Sequence, residues 1–484
     1  MIIRPTASTS RTRRESIRPS PLPKRLVHEI VRLFAKRVPL RTQLLALSLA
    51  ACPVLAQDCP WVLETTPNPE GNLILFGLSA RANDDVWAAG SRSVFLPGDS
   101  RTYNYIARWD GTDWFETNAP QPSTLSDFQI LRDIIALGPD DAIAVGSYSP
   151  PASSSQSQSM RWDGSSWHLL DSPSYAGGSS FQAIGTMGDR VWAVGSKYSE
   201  LPPPAALTFP MAARLDGDDW DVVYVPPLAA TGGRSFNHIR AIDGASEDDG
   251  WAAGTAQEVN LGFGPAAMMI RWDGSQWTQY DLFPILSSTA FSSVEALTVI
   301  SGDNAWAAGF DYDNARQQTI PLILHWDGSA WSNVPVPSFD NSAELRAIAA
   351  RSADDIYAAG TQTEAGGSPH ALILHYDGVQ WSVVPENQLT DYGTWFRAMT
   401  VAGDDVWAAG QSNGLSDGIT QRRRPCDGGC TADFNHDGSL NFFDVSSFLA
   451  AFNAQDPATD LTGDGLFNFF DISSYLDLFA AGCP

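Results

Sequence analysis

The sequence predicts an all-β body of seven four-stranded sheets arranged in a ring, followed by a small helical domain, on three observations. A stretch of the kind Asp84-Asp85-Val86-Trp87-Ala88-Ala89-Gly90 recurs, its last glycine returning at Gly146, Gly195, Gly254, Gly309, Gly360 and Gly410 at intervals of 49 to 59 residues. Seven copies at that period mark a repeat architecture. Six of the copies are followed by an Asp-Gly turn and a tryptophan, ending at Trp114, Trp167, Trp220, Trp277, Trp331 and Trp381. Helix-forming stretches are nearly absent outside the first and last sixty or so residues.

Each repeat reads as four strands. Leu345 to Ala350 is an apolar strand, Asp354-Asp355 a turn, and Ile356 to Gly360 the second strand. A loop of varied length leads to Ala371 to Tyr376, the turn Asp377-Gly378 and a last strand from Trp381 to Pro385. Asp-Gly between apolar runs signals a hairpin, because glycine takes positive φ freely and aspartate tolerates it. One such sheet cannot bury both faces, but seven around an axis can. Ala-Ala-Gly would then allow close approach near the centre and tryptophan would fill the wider space outside.

The seventh copy lacks its outer strand, and Trp61 to Pro67 matches Trp331 to Pro337 in kind, so the N-terminal strand is expected to complete the last sheet and remove a free edge. Aligning Cys426-Asp427-Gly428 on Trp109-Asp110-Gly111 puts Cys426 opposite Cys59 in that hairpin, within disulfide range. A Cys59–Cys426 clasp is expected, with Cys426–Cys430 as the alternative pairing. These motifs resemble seven-bladed β-propellers of the Kelch- and BNR-like kind over residues 57–426. The blades lack the Gly-His and Trp-Asp signature of WD40 repeats, and Asp273-Gly274 are adjacent, unlike the order in sialidase Asp-boxes.

Residues 1–56 are expected to be a basic leader and signal peptide. The apolar run Leu44 to Ala51 ends at the small-residue site Val54-Leu55-Ala56, and it is too short to span a bilayer. Arg13-Arg14 stands too far upstream for a twin-arginine signal, so an over-extended gene start is the favoured account of the long leader. The chain carries a net charge of −25, and removing the leader's 11 Lys/Arg and 2 Asp/Glu from totals of 30 and 55 leaves 19 and 53, a net charge of −34. So acidic a body repels phosphate backbones and anionic membranes, and nucleic acid is not an expected partner. A secreted or cell-surface location follows from the signal, and there the disulfides can form.

The sharpest chemical pattern lies in residues 427–484. Asp433, Asn435, Asp437, Ser439 through its carbonyl, Asn441 and Asp444 stand at positions 1, 3, 5, 7, 9 and 12 of a loop with Gly438 at 6. Asp460, Thr462, Asp464, Leu466, Asn468 and Asp471 repeat the pattern with Gly465 at the turn. Hard oxygens at these spacings suit Ca2+, so two ions are expected, with Thr462 the weakest ligand. Two such loops, each closed by aspartate and entering an apolar helix, resemble a dockerin module, specifically the GC-type dockerin-like anchors of exported planctomycete proteins. That resemblance implies a Cys430–Cys483 staple and a cohesin-like or other surface partner. The positions that contact cohesin in that family are Phe442, Phe443, Phe469 and Phe470 here, which puts an ordinary cohesin in doubt and offers an apolar recognition patch or part of the helical core.

Catalytic signals are sparse. His325 and His375 occupy the strand place held elsewhere by Arg108, Arg161, Arg214 and Arg271, which argues for a structural role. The acidic pairs Asp84-Asp85, Asp140-Asp141, Asp248-Asp249, Asp354-Asp355 and Asp404-Asp405 fit turn chemistry better than acid–base work, and Arg422-Arg423-Arg424 reads as a solvated edge. The expected function is a secreted, non-enzymatic binding or scaffold propeller for a glycan or protein ligand. It would be tethered through its calcium-dependent module. The alternative is a polysaccharide-acting propeller enzyme, hydrolase or lyase.

Overall fold

The computed structural model describes residues 61–64, 66–67, 71–96, 99–123, 128–151, 153–200, 207–226, 235–258, 265–286, 291–363, 367, 369–384, 393–412, 417–423, 432, 434, 442–453, 456, 459, 461–462 and 466–481. The chain divides into two units, Met1–Ala56 and Gln57–Pro484. The expected signal segment falls outside the described residues, and all that follows concerns the second unit.

The first complete sheet shows why the repeat folds as it does. Asn72–Ala82, Asp85–Leu96, Asp99–Trp109 and Trp114–Thr117 pair antiparallel in chain order. Its last hairpin is fixed by Asp110, whose Oδ1 accepts the amides of Thr112 and Asp113, both at 2.9 Å, and the Thr112 hydroxyl at 2.7 Å. Gly111 sits there at φ +99°, and a Cβ on it would lie 3.0 Å from the Asp84 Cβ, so a side chain would meet both strain and crowding. These hydrogen bonds, the Asp113 amide first, hold the Asp110 carboxyl down at about 2. Asp163, Asp273 and Asp327 build the same turn with a serine hydroxyl.

The described strands form five four-stranded sheets and one eight-stranded sheet. In the eight-stranded sheet Ser179–Met187 and Ser235–Ser246 lie side by side, bridged where Met187 pairs with Gly244. The first strands Asn72–Ala82, Gln129–Gly138, Ser179–Met187, Ser235–Ser246, Ser293–Ser301, Ala343–Ser352 and Thr394–Ala402 each pack on the next, and the last packs on the first. The body is therefore propeller-like. Val62–Glu64 lies antiparallel on Asp417–Arg423, with Val62 opposite Arg422 and Glu64 opposite Thr420. The first and last described strands thus pair in one sheet. Hydrogen bonds from Thr66 to the Gly418 carbonyl and from Thr420 to the Glu64 carbonyl reinforce it.

Between sheets the packing is aromatic. Trp87 sits 5.4 Å from Trp162 and 5.4 Å from Trp167 of the following sheet, and Trp407 sits 5.2 Å from Trp109 and 5.6 Å from Trp114. Trp192, Trp251 and Trp306 repeat the arrangement. Edge-to-face pairs of this kind contribute about 0.5–1.5 kcal/mol each beyond area burial. In the second sheet Ile143 takes the tryptophan's place and packs with Leu215 and Phe181.

Three sequence expectations are corrected. The Ala-Ala-Gly glycines do not bring sheets together at the centre; each faces a bulge in its own sheet. Arg422 is not a solvated edge: it is 5% exposed, bonded to Glu64 at 2.6 Å and near Asp405 at 3.5 Å, and its guanidinium lies over Trp109 and Trp407. It is the last sheet's copy of Arg108, since Trp407 pairs with Arg422 as Trp87 pairs with Arg108. By the same register Arg423, opposite Val406, stands where Trp109 stands opposite Val86, so the alignment of Cys426 on Trp109 was three residues too late. Cys59, Cys426, Cys430 and Cys483 themselves lie outside the described residues.

Near the C-terminus two helices are described, α1 (Phe442–Asn453) and α2 (Phe469–Ala481). Phe448 of α1 stacks on Tyr475 of α2 at 3.9 Å with planes 4° apart, Phe434 stands edge-on to both, and the Tyr475 hydroxyl donates to the Ala432 carbonyl at 2.8 Å. These rings, rather than Phe469 and Phe470, make the core of the pair.

Candidate binding site at the ring centre

A candidate site forms from seven β-bulges, and glycine is what permits them. Ile130, Leu131 and Asp133 pair regularly with the neighbouring strand while Arg132 between them has no partner residue. Opposite the bulge stands Gly146, where a Cβ would lie 2.0 Å from the Ile130 carbonyl oxygen. Only glycine lets the bulged strand approach that closely. The same skip occurs in every first strand and leaves out Phe76, Arg132, Gln182, Arg240, Glu295, Arg346 and Arg397. A bulge turns a side chain off the ladder, and because these strands are the innermost, the seven side chains share one space.

The contacts among them show the convergence. The guanidinium of Arg132 lies 4.8 Å from the Phe76 ring centre and that of Arg397 lies 5.3 Å from it, from the two sheets flanking that of Phe76. On the other side Glu295 meets Arg346 at 2.9 Å and Arg240 at 3.4 Å, and Arg346 also meets Glu344 at 2.8 Å. Burial, then the charges of Arg397 and Arg240, push Arg132 down to about 10. None of these three residues sits in adjoining sheets, so their charges meet across the enclosed space. Burial also lowers Arg397, with Arg346 adding to it, and lowers His238, with Arg240 adding to it. Arg346 is raised despite its burial, because Glu295 and Glu344 face it. The Nε atoms of Arg132 and Arg397 are buried and meet no hydrogen-bond partner among the described residues.

Elsewhere the polar residues are absorbed by a repeated module. The second aspartate of the acidic turn holds the strand cation, which lies on the aromatic ring before Ala-Ala-Gly: Asp85 with Arg108 at 2.8 Å over Trp87, and Asp249 with Arg271 at 3.0 Å over Trp251. His375 bonds Asp355 at 2.9 Å and stacks on Tyr357, and His325 bonds Asn304 and stacks on Trp306. Two half-buried aspartates tie sheets together. Asp133 accepts the amides of Ile134 and Ile184, Asp243 those of Gly244 and Val299, and burial raises both to about 7. A surface cleft lined by Asp141, Arg161, Asp163, His168 and Asp218, with Asp140, Asp171 and Asp219 beside them, has its basic groups already paired, Arg161 with Asp141 and Asp218 and His168 with Asp163.

Of the residues expected to ligate calcium, Asp433, Asn435, Asp437, Ser439, Asn441, Asp460 and Asp464 lie outside the described residues. Asp444 is described and buried. In the second loop Asp471 is buried and accepts the Thr462 amide at 3.1 Å, the Thr462 hydroxyl at 2.9 Å and the Asn468 amide at 2.9 Å, bonds that lower its pKa, the Asn468 amide foremost. Leu466 is exposed, with its carbonyl accepting the Asn468 side chain at 3.1 Å. The expected positions 3, 7, 9 and 12 are thereby drawn into one turn, a donor set of oxygens that suits a hard cation. Phe469 and Phe470 are 72% and 68% exposed; Phe442 and Phe443 lie on α1, and their side chains are outside the described residues.

The central arginines were missed in the sequence although a signal was there. Each bulge residue stands 13 or 14 places before the recurring glycine, as Arg132 does before Gly146 and Arg397 before Gly410. An arginine inside an apolar strand, repeated in phase, marks an inward polar position.

No protein-family model matches the chain, and no curated protein matches it. Among solved structures it is similar to YCF48 bound to D1 peptide, with 14% identity and a TM-score of 0.44, over 75% of this chain and 97% of that one. It is also similar to a protein of unknown function from Dyadobacter fermentans, with 12% identity and a TM-score of 0.42, over 68% and 99%.

Proposed function

We propose that the chain is a secreted, non-enzymatic binding protein: a seven-bladed propeller that takes its ligand at the ring centre and is held by a calcium-dependent, dockerin-like C-terminal module to a cell-surface or extracellular assembly. The observation that carries the binding reading is the convergence of the bulge side chains. The Asp–Arg–Trp module is complete in the first, fourth and last repeats and varies in the others, and the bulges offer phenylalanine, glutamine, glutamate and arginine at one place. Variation at an inward position on a rigid frame is how a repeat fold builds recognition. Glu295 and Glu344 are both engaged by Arg346, which fixes charge rather than exchanging protons, so the centre suits binding better than acid–base catalysis.

The tether reading rests on the ligand spacing of both loops and on the turn that Thr462, Asn468 and Asp471 form. Ca2+ there would supply the charge that gathers the loop oxygens, with two ions for the two loops. The chain from residue 57 onward, immobilised and exposed to envelope and extracellular proteins of the source cells, should retain a surface partner with calcium and lose it with chelator. Retention that ignores calcium, or none by folded, calcium-loaded protein, refutes the tether.

A further inference from the structure

We propose that the ring centre binds a small organic dianion, two carboxylates joined by a short spacer, clamped by Arg132 and Arg397 on either side of Phe76. This rests on the reading that the ligand enters at the ring centre and adds its chemical class. Arg240 and Arg346 pair with Glu295 and Glu344, whereas Arg132 and Arg397 lie over an aromatic ring and form no ion pair among the described residues, Glu344 and Glu295 acting on Arg397 only from further off. Two like charges held near each other in a half-buried space are unfavourable unless an anion joins them. In a chain of net charge −25 this concentration of cations is a local reversal of sign. It draws anions, and a small one is able to enter.

Geometry then narrows the class. A guanidinium held over a ring leaves N–H donors at its edge that match a carboxylate. Both arginines spring from bulges set by Gly146 and Gly410, where a Cβ would lie 2.0 Å from a backbone oxygen, so their bases are rigid. The forks arrive from two sheets that flank that of Phe76. Two separate heads on a spacer reach two separate forks, while one tetrahedral anion would have to draw both to a single point.

The test is calorimetric titration of the chain from residue 57 onward, calcium-loaded, with succinate and glutarate against acetate and sulfate at matched ionic strength. A dicarboxylate should bind at least tenfold more tightly than acetate or sulfate. Arg132→Gln and Arg397→Gln should each weaken it at least tenfold, and Arg316→Gln, at an exposed site paired with Asp313, should not change it. Should either glutamine variant fail to fold, Arg132→Lys and Arg397→Lys keep the charge and remove the fork, and the same loss is expected. Equal binding of sulfate, undiminished binding in folded clamp variants, or no dicarboxylate binding by folded wild-type protein overturns the proposal. The broader reading is separable. If an extracellular ligand retained by the wild-type chain is retained equally by Arg132→Gln/Arg397→Gln, binding stands and the dianion clamp falls.

Discussion

Replacing Gly146 by alanine tests the link from repeat glycine to bulge to central arginine. The added Cβ would lie 2.0 Å from the Ile130 oxygen, 2.8 Å from the Leu131 Cα and 2.9 Å from the Ile130 carbonyl carbon. All three are backbone atoms, so no rotamer change relieves the clash. A carbon and a carbonyl oxygen tolerate about 3.3 Å, so the two strands must part by more than ~1 Å. That breaks the ladder beside the bulge. Two buried backbone hydrogen bonds left unmade cost about 2–5 kcal/mol, and the stiffer unfolded chain of alanine returns about 0.4–1 kcal/mol. The expected net loss is roughly 2–4 kcal/mol in denaturant unfolding. Gly138→Ala is the comparison, because its Cβ would meet only the Asp141 side chain at 3.8 Å. If Gly146→Ala unfolds within about 0.5 kcal/mol of Gly138→Ala, the bulge does not depend on glycine and the account of the site fails.

Other expectations can be checked on the same protein. Asp133 and Asp243 titrate near 7 in the fold against 3.8 as the ordinary value, so the folded state holds more protons between those values. Their contribution is full below about pH 4 and is lost as pH rises through 7, on the order of 3 kcal/mol per group, and Asp133→Asn should flatten that part of the stability profile. A profile unchanged by the substitution contradicts the burial of that carboxylate. Arg422→Ala leaves Glu64 and Asp405 without their buried cation and should destabilise by roughly 3 kcal/mol, while Arg316→Ala on the surface stays within about 0.5 kcal/mol. Asp471→Ala should reduce the calcium stoichiometry measured by titration from two ions to one, and an unaltered count removes Asp471 from the ligand set.

The strand content, the four-strand unit and its turns were legible because they are local. Asp110-Gly111 closes its hairpin with its own carboxylate and its own positive φ, and alternating apolar runs beside it can only be strands. The calcium spacing is likewise a property of twelve consecutive residues and is written in order along the chain. The ring centre was not legible as a site, because Arg132, Arg240 and Arg397 come from sheets far apart in sequence and their charges meet only after the first strands surround a common space. Arg422 was misread for a related reason. In the sequence it is one of three neighbouring arginines, but Trp109, Trp407 and Glu64, drawn from both ends of the described chain, bury it. Sequence determined what each segment prefers, since propensity and turn chemistry act between near neighbours. Tertiary structure alone decided which charges share the space that the first strands surround, and therefore which arginines form no ion pair among the described residues.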